Sequence, residues 1–180
     1  MRAFLALPVQ YEQGFEPLSS LVENNPGITP VRRHQLHITL FFFRAISPKD
    51  VERMVKAITK QQEDKALHRV ILKEPQVRLI PKQMPRIISL VFAKEQQLQT
   101  NYQKLYQTLQ SIRLPGLDKR PYKPHLTVAR LRRALTSQEL EQCSAMQVNA
   151  KLVLDRLVLY KSQLTPQGPE HTVLEEWKLF

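Results

Sequence analysis

The chain has 180 residues, with 27 lysines and arginines against 16 aspartates and glutamates, for a formal net charge of +11. Its 42% hydrophobic content, in alternating apolar and polar segments, excludes a disordered chain, and no apolar run approaches the length of a membrane span. Cys143 is the only cysteine, which excludes a disulfide framework. Residues 1–8 are too brief an apolar run for a signal segment, so the expectation is a single domain over residues 1–180 in a reducing cytoplasm, monomeric and without membrane contact. Strong basicity favours a polyanionic partner such as RNA.

In chain order, residues 2–8 read as an opening strand and 15–24 as a first helix stopped by Asn25-Pro26-Gly27. Residues 31–43 read as one long strand, whose alternation puts His37, Thr39, Phe41 and Phe43 on one face and Leu36, Ile38, Leu40 and Phe42 on the other. Ser47-Pro48-Lys49-Asp50 combines a serine cap, a proline at the first helical position and an acid at the third, so a helix starts there and runs to about Gln62. Strands are expected over 67–73, 77–80 and 86–93. Leu98, Tyr102, Leu105, Leu109 and Ile112 are spaced by four, three, four and three, the stripe of a helix packed on a sheet, which places Tyr102 in the core. Pro115-Gly116 ends that helix, and residues 124–131 form a second strand with His125 and Thr127 on a common face. Thr136-Ser137-Gln138-Glu139 is a capping box opening a helix toward Met146. Residues 151–160 and 172–180 close the chain as strands around the turn-prone stretch 165–169. Each half offers strands and two helices around one His-x-Thr strand, which predicts two similar α+β lobes facing each other.

The repeat itself is the strongest pointer to chemistry. His37-Ile38-Thr39-Leu40 returns in kind 88 positions later (125 − 37) as His125-Leu126-Thr127-Val128. Two His-x-Thr matches arise in roughly 2–3% of shuffled chains, and in about one in a thousand once apolar neighbours are required. Either copy alone would read as a half-buried strand; the pair argues for a site. An imidazole with an unperturbed pKa of about 6.5 can be neutral and accept a proton while another is protonated and donates one. Two threonine hydroxyls on the same faces can donate to the non-bridging oxygens of one phosphoryl group. That set suits in-line displacement at phosphorus, with one histidine deprotonating water and the other protonating the departing oxygen. Neither histidine has a second histidine or a carboxylate at ligand spacing, so no metal and no cofactor is expected. A pancreatic-ribonuclease type of site is disfavoured because this chain cannot form disulfides. His34, His68 and His171 lack the flanking pattern and read as surface or structural. Lys119, Arg120, Lys123, Arg130, Arg132 and Arg133 cluster around the second copy, where an RNA backbone would need them.

These residues resemble the two-histidine (2H) phosphoesterase superfamily and, within it, the bacterial and archaeal RNA 2',3'-cyclic phosphodiesterases, also called 2'-5' RNA ligases. The resemblance rests on the paired HxTx motifs, the opening Arg2-Ala3-Phe4-Leu5-Ala6-Leu7-Pro8, the stretch from Arg120 to Arg130, and Leu159-Tyr160-Lys161-Ser162-Gln163-Leu164 followed by Pro166 and Gly168. It implies a bilobal α+β fold of two pseudo-twofold-related antiparallel lobes with a cleft between them. It also implies metal-free hydrolysis of RNA-terminal 2',3'-cyclic phosphate to a 2'-phosphomonoester, with reversible 2'-5' ligation as a related activity. By the same resemblance His37 is the proton donor, His125 the proton acceptor, and Thr39, Thr127 and Arg130 the phosphate ligands. The chain departs from the family's usual Phe-Leu-Gly-Glu run, because Phe42-Phe43-Arg44-Ala45 puts an arginine where glycine stands. Arg130 lies five positions after His125, so strict alternation would send it to the opposite face unless a bulge intervenes. The rival readings are a related phosphodiesterase acting on another cyclic nucleotide or a 2'-5' linkage, and a non-catalytic basic RNA-binding protein.

Overall fold

The computed structural model describes residues 1–10, 15–23, 25–93, 95–118, 121–166 and 168–180. The strands are β1 (Arg2–Pro8), β2 (Ile28–Pro30), β3 (His37–Phe43), β4 (Val70–Leu72), β5 (Gln76–Ile80), β6 (Ile87–Val91), β7 (His125–Leu131), β8 (Leu152–Leu154), β9 (Arg156–Thr165) and β10 (Gly168–Lys178). The helices are α1 (Glu16–Glu23), α2 (Pro48–Glu63), α3 (Gln96–Ser111) and α4 (Ser137–Ala145). Helix starts follow the caps read from sequence. Ser47 Oγ accepts from the Asp50 amide at 3.1 Å, and Thr136 and Glu139 form the reciprocal capping box. On α3, Leu98, Tyr102, Leu105 and Leu109 are all buried, as their spacing requires.

Two expected strands are each divided. The segment 31–43 is extended only from His37; before it a single 3₁₀ turn, Arg33–Gln35, separates β3 from the short β2, which pairs with β7 instead. The segment 151–160 breaks at Asp155, so that β8 pairs with β4 in a separate two-stranded sheet while β9 joins the main one. Asp155 at that break accepts a backbone hydrogen bond from Leu179, which holds the end of the chain against it.

The main sheet has the order β10-β9-β1-β3-β7-β6-β5, with β2 also on β7, and its pairings are antiparallel. The lobes are therefore not the two halves of the sequence. One lobe takes β1 and β3 from the first half and β9 and β10 from the second, with α2 against α3 and β10; the other takes β2, β5 and β6 with β7, with α1 on β2 and α4 on β5. The chain crosses between lobes repeatedly, which couples their folding.

An internal twofold relation is visible in the register. On the first side Leu7 faces Ile38 and Ala6 faces Thr39; on the second Leu90 faces Leu126 and Ser89 faces Thr127. Both ladders then slip by one residue at the same place. Leu5 pairs with Phe41 and Ile88 with Ala129, leaving Leu40 and Val128 as the extra residues of two matched bulges. The slip corrects the alternation expected for β3. Phe41 and Phe43, at 4% and 2% exposure, turn into the core with Ile38, and Phe42, at 40%, joins the face of His37 and Thr39.

Candidate active site

The joint between the lobes is the pair Ile38–Leu126, the one β3–β7 partnership among the described residues. An antiparallel ladder centred there sets His37 opposite Thr127 and Thr39 opposite His125, so each imidazole lies beside the hydroxyl of the other motif. Both isoleucine and leucine at the joint are fully buried, which fixes the register, since a slip by one residue would turn every motif side chain into the core.

The two rings are held in the same way. His37 Nδ1 lies 2.6 Å from the carbonyl of Gln35, and His125 Nδ1 lies 3.0 Å from the carbonyl of Lys123. A carbonyl only accepts, so Nδ1 is the protonated nitrogen in each ring and Nε2 is the end left for proton exchange. Local sequence accounts for both acceptors. The 3₁₀ turn ends at Gln35, and Pro124 biases Lys123 toward an extended backbone. Among the described residues neither Thr39 nor Thr127 spends its hydroxyl on a partner within the chain.

Arg130 reaches the same face because of the Val128 bulge. Leu126 and Ala129 are both fully buried although they are three apart, and Arg130 two pairs along from Thr127 is exposed. Its charge is felt by both His37 and His171. Of the other cations near the second motif, Arg133 is taken up by Glu139 at 2.6 Å and by Asn25 at 3.1 Å, and Arg132 donates to Thr29 at 2.6 Å. Those two hold the end of β7 in place. Lys119 and Arg120 fall outside the described residues.

His37 sits in an aromatic surround on the first lobe. Phe4 stacks on Tyr160 with centroids 5.0 Å apart and leans on His37 at 4.9 Å, and the His171 ring stands perpendicular to His37 at 5.7 Å. Burial, first, and then the neighbouring His171, His125 and Arg130 lower the His37 pKa to about 4, against the opposing pull of its bond to Gln35. His171 is lowered too, by burial and by Arg130. His171 was not expected here: it belongs to no motif, and it enters the site because β10 pairs with β9 so that His171 faces Ser162, which in turn faces Arg2 on β1. His34 and His68 are exposed and remote from any such contact among the described residues.

A cleft of about 1020 Å³ opens at the joint and is lined by Thr39, Phe42, Arg44, Tyr122, Lys123 and His125 among others. The structure thus brings His37, Thr39, His125, Thr127 and Arg130 to one face around the lobe junction. Among the described residues no three His, Cys, Asp or Glu side chains gather as a metal-holding group. No helix among them is long and apolar enough to cross a membrane.

Two lobes sharing an antiparallel sheet, each presenting one His-x-Thr strand at the junction, constitute the fold of the two-histidine phosphoesterases. Its nearest described family is matched directly: the chain belongs to the 2'-5' RNA ligase superfamily, whose model covers residues 13–166. The RNA 2',3'-cyclic phosphodiesterase of Thermotoga maritima is 25% identical over 181 residues, spanning 98% of this chain and 94% of the relative. That of Thermus thermophilus is 26% identical over 190 residues, spanning 99% and 90%. Among solved structures, a Thermus thermophilus protein superposes with a TM-score of 0.78 at 24% identity, covering 99% of this chain and 98% of the other. Escherichia coli LigT complexed with NADP+ superposes at 0.73 and 18% identity, covering 99% and 97%.

Proposed function

We propose that this single-domain, monomeric chain is a cytoplasmic RNA 2',3'-cyclic phosphodiesterase that hydrolyses the terminal cyclic phosphate to a 2'-phosphomonoester by two-histidine acid–base catalysis, without a metal. The observation that supports it most is the Ile38–Leu126 register, which gives one phosphoryl group a histidine and a threonine from each side. His125 Nε2 takes a proton from water as its oxygen attacks phosphorus. The bond from phosphorus to O3' breaks in line, and His37 Nε2 delivers a proton to O3'. Thr39, Thr127 and Arg130 donate to the non-bridging oxygens as charge builds on them. With a 5'-hydroxyl in place of water, the same displacement joins two RNA ends through a 2'-5' linkage.

His37 is neutral in the free protein at neutral pH, so the substrate must charge it. A phosphodiester anion at about 4 Å contributes about 4 kcal/mol at an effective dielectric of 20, which is about three pH units. That is enough to return the imidazole to the neutral range once the substrate is bound.

The test is incubation of the purified protein with an RNA ending in 2',3'-cyclic phosphate in excess chelator, with the product followed by phosphorus NMR. A 2'-phosphomonoester is expected, and it should disappear in His37→Ala and His125→Ala. A 3'-phosphomonoester would mean that the other bond breaks. Tight RNA binding with no turnover would favour the non-catalytic RNA-binding reading that the net charge also fits.

A further inference from the structure

The internal twofold relation fails at one informative position. Counting five residues on from each motif histidine, through matched bulges, gives Arg130 on the second strand and Phe42 on the first. Phe42 is 40% exposed, faces the cleft, and carries the Arg2 guanidinium 5.3 Å from its ring centroid. Beside it on the cavity wall are Arg44 and Lys123, both exposed, and among the described residues neither forms an ion pair. Asp118 is the one carboxylate lining this cavity among those residues.

We propose that Phe42, Arg44 and Lys123 form a subsite for the nucleotide immediately upstream of the cyclic end, with its base against Phe42 and the internucleotide phosphate between the two cations. This rests on the phosphodiesterase reading above. A cyclic mononucleotide carries one phosphate, and that phosphate belongs at the histidines. A second pair of cations in the same cavity calls for a second phosphate, which only a longer chain supplies. The cavity, at about 1020 Å³, also exceeds the range usual for one small ligand. Phe42 stands three residues along β3 from Thr39, about 10 Å at strand spacing, so the shelf is displaced from the reacting phosphorus rather than over it. An exposed aromatic face interleaved with cations is the chemistry of single-stranded RNA platforms, where the ring stacks a base and the cations follow the backbone. A guanidinium covers one face of Phe42 and leaves aromatic surface for a base.

The experiment compares uridine 2',3'-cyclic phosphate with the dinucleotide UpU ending in 2',3'-cyclic phosphate, for the wild type, Arg44→Gln and Phe42→Leu. Each substitution should lower kcat/KM for the dinucleotide by about fivefold or more while leaving the mononucleotide within about twofold, which also shows that the variant is folded. Added salt should weaken the dinucleotide preference in the wild type and have less effect in Arg44→Gln. Equal losses on both substrates, or no loss on the dinucleotide, would overturn the subsite. Should the wild type hydrolyse neither compound, the catalytic reading fails separately. Calorimetric titration of the same two ligands then decides the subsite by the same ratio of affinities.

Discussion

Binding of a cyclic nucleotide should draw one proton from solution onto His37. In the free protein, burial together with His171, His125 and Arg130 holds that imidazole at about 4. At pH 5.5 about 3% of it is therefore protonated. A bound phosphodiester raises the pKa by about three units, to about 7, so occupancy at the same pH becomes nearly full. The net uptake is about 0.9 proton per ligand at pH 5.5 and about 0.1 at pH 8. Uridine 2',3'-cyclic phosphate is the suitable probe, because neither its phosphodiester nor its base titrates in this interval. His125→Ala, which stops turnover, is the suitable background. Calorimetric titration in two buffers of different ionisation enthalpy reads the uptake directly. Adding His37→Ala should abolish it. Uptake that survives that change would assign the proton to another group, with His171 the first candidate because it is also lowered by burial and Arg130. No uptake on the His125→Ala background would refute charging of His37 by the phosphate.

Four further outcomes are expected. Thr39→Val and Thr127→Val each lower kcat by about a hundredfold at an unchanged melting temperature, because each removes one donor to the developing charge; normal rates with a lowered midpoint would make both residues structural. Arg130→Met weakens binding of a cyclic-phosphate end more than of an RNA ending in a hydroxyl, and an equal effect measured by anisotropy would reduce it to a backbone contact. Because the His37 pKa falls from 6.5 to about 4 on folding, the native state binds fewer protons in that window. Stability is thus fully present above 6.5 and drains as pH falls through 4, by about 3 kcal/mol in all, and His37→Gln should flatten that part of the denaturation profile; an identical slope in both proteins would show that burial does not shift His37. In His37→Ala the residual kcat/KM rises with pH to a plateau if His37 is the acid, whereas a fall at high pH would exchange the two roles.

Much of the framework was legible because it is written in local chemistry. The caps at Ser47 and Thr136, the α3 stripe and the two motif strands follow from hydrogen-bond geometry and periodicity, which act within a few residues. The errors lie where pairing partners decide. Alternation alone put Phe41 and Phe43 beside His37 and sent Arg130 away from His125. Bulges opposite β1 and β6 reverse both placements, and a bulge is a property of two strands in register, not of one. For the same reason the lobes could not be read as halves: which strands β9 and β6 would seek is set by long-range burial, and the exchange between lobes leaves no composition boundary. His171 was missed on the same ground, since its place depends on the β9–β10 register.

The asymmetry imposed on a symmetric scaffold bears on the proposed division of labour. The two imidazoles share a backbone anchor, an adjacent threonine and a common junction, so nothing in the motifs separates acid from base. Their surroundings do. Phe4, Tyr160 and His171 enclose His37, while His125 lines the open cavity through which water arrives. Enclosure makes the His37 cation a stronger acid, which favours proton delivery to a departing alkoxide, and it holds a proton only when a phosphate anion is in place to stabilise it. An acid loaded by its own substrate stays neutral in the empty site, where a standing positive charge beside Arg130 would attract other anions. The aromatic wall contributed by β1, β9 and β10 thereby supports assigning the donor role to His37 and leaves the solvent-facing side of the junction to His125.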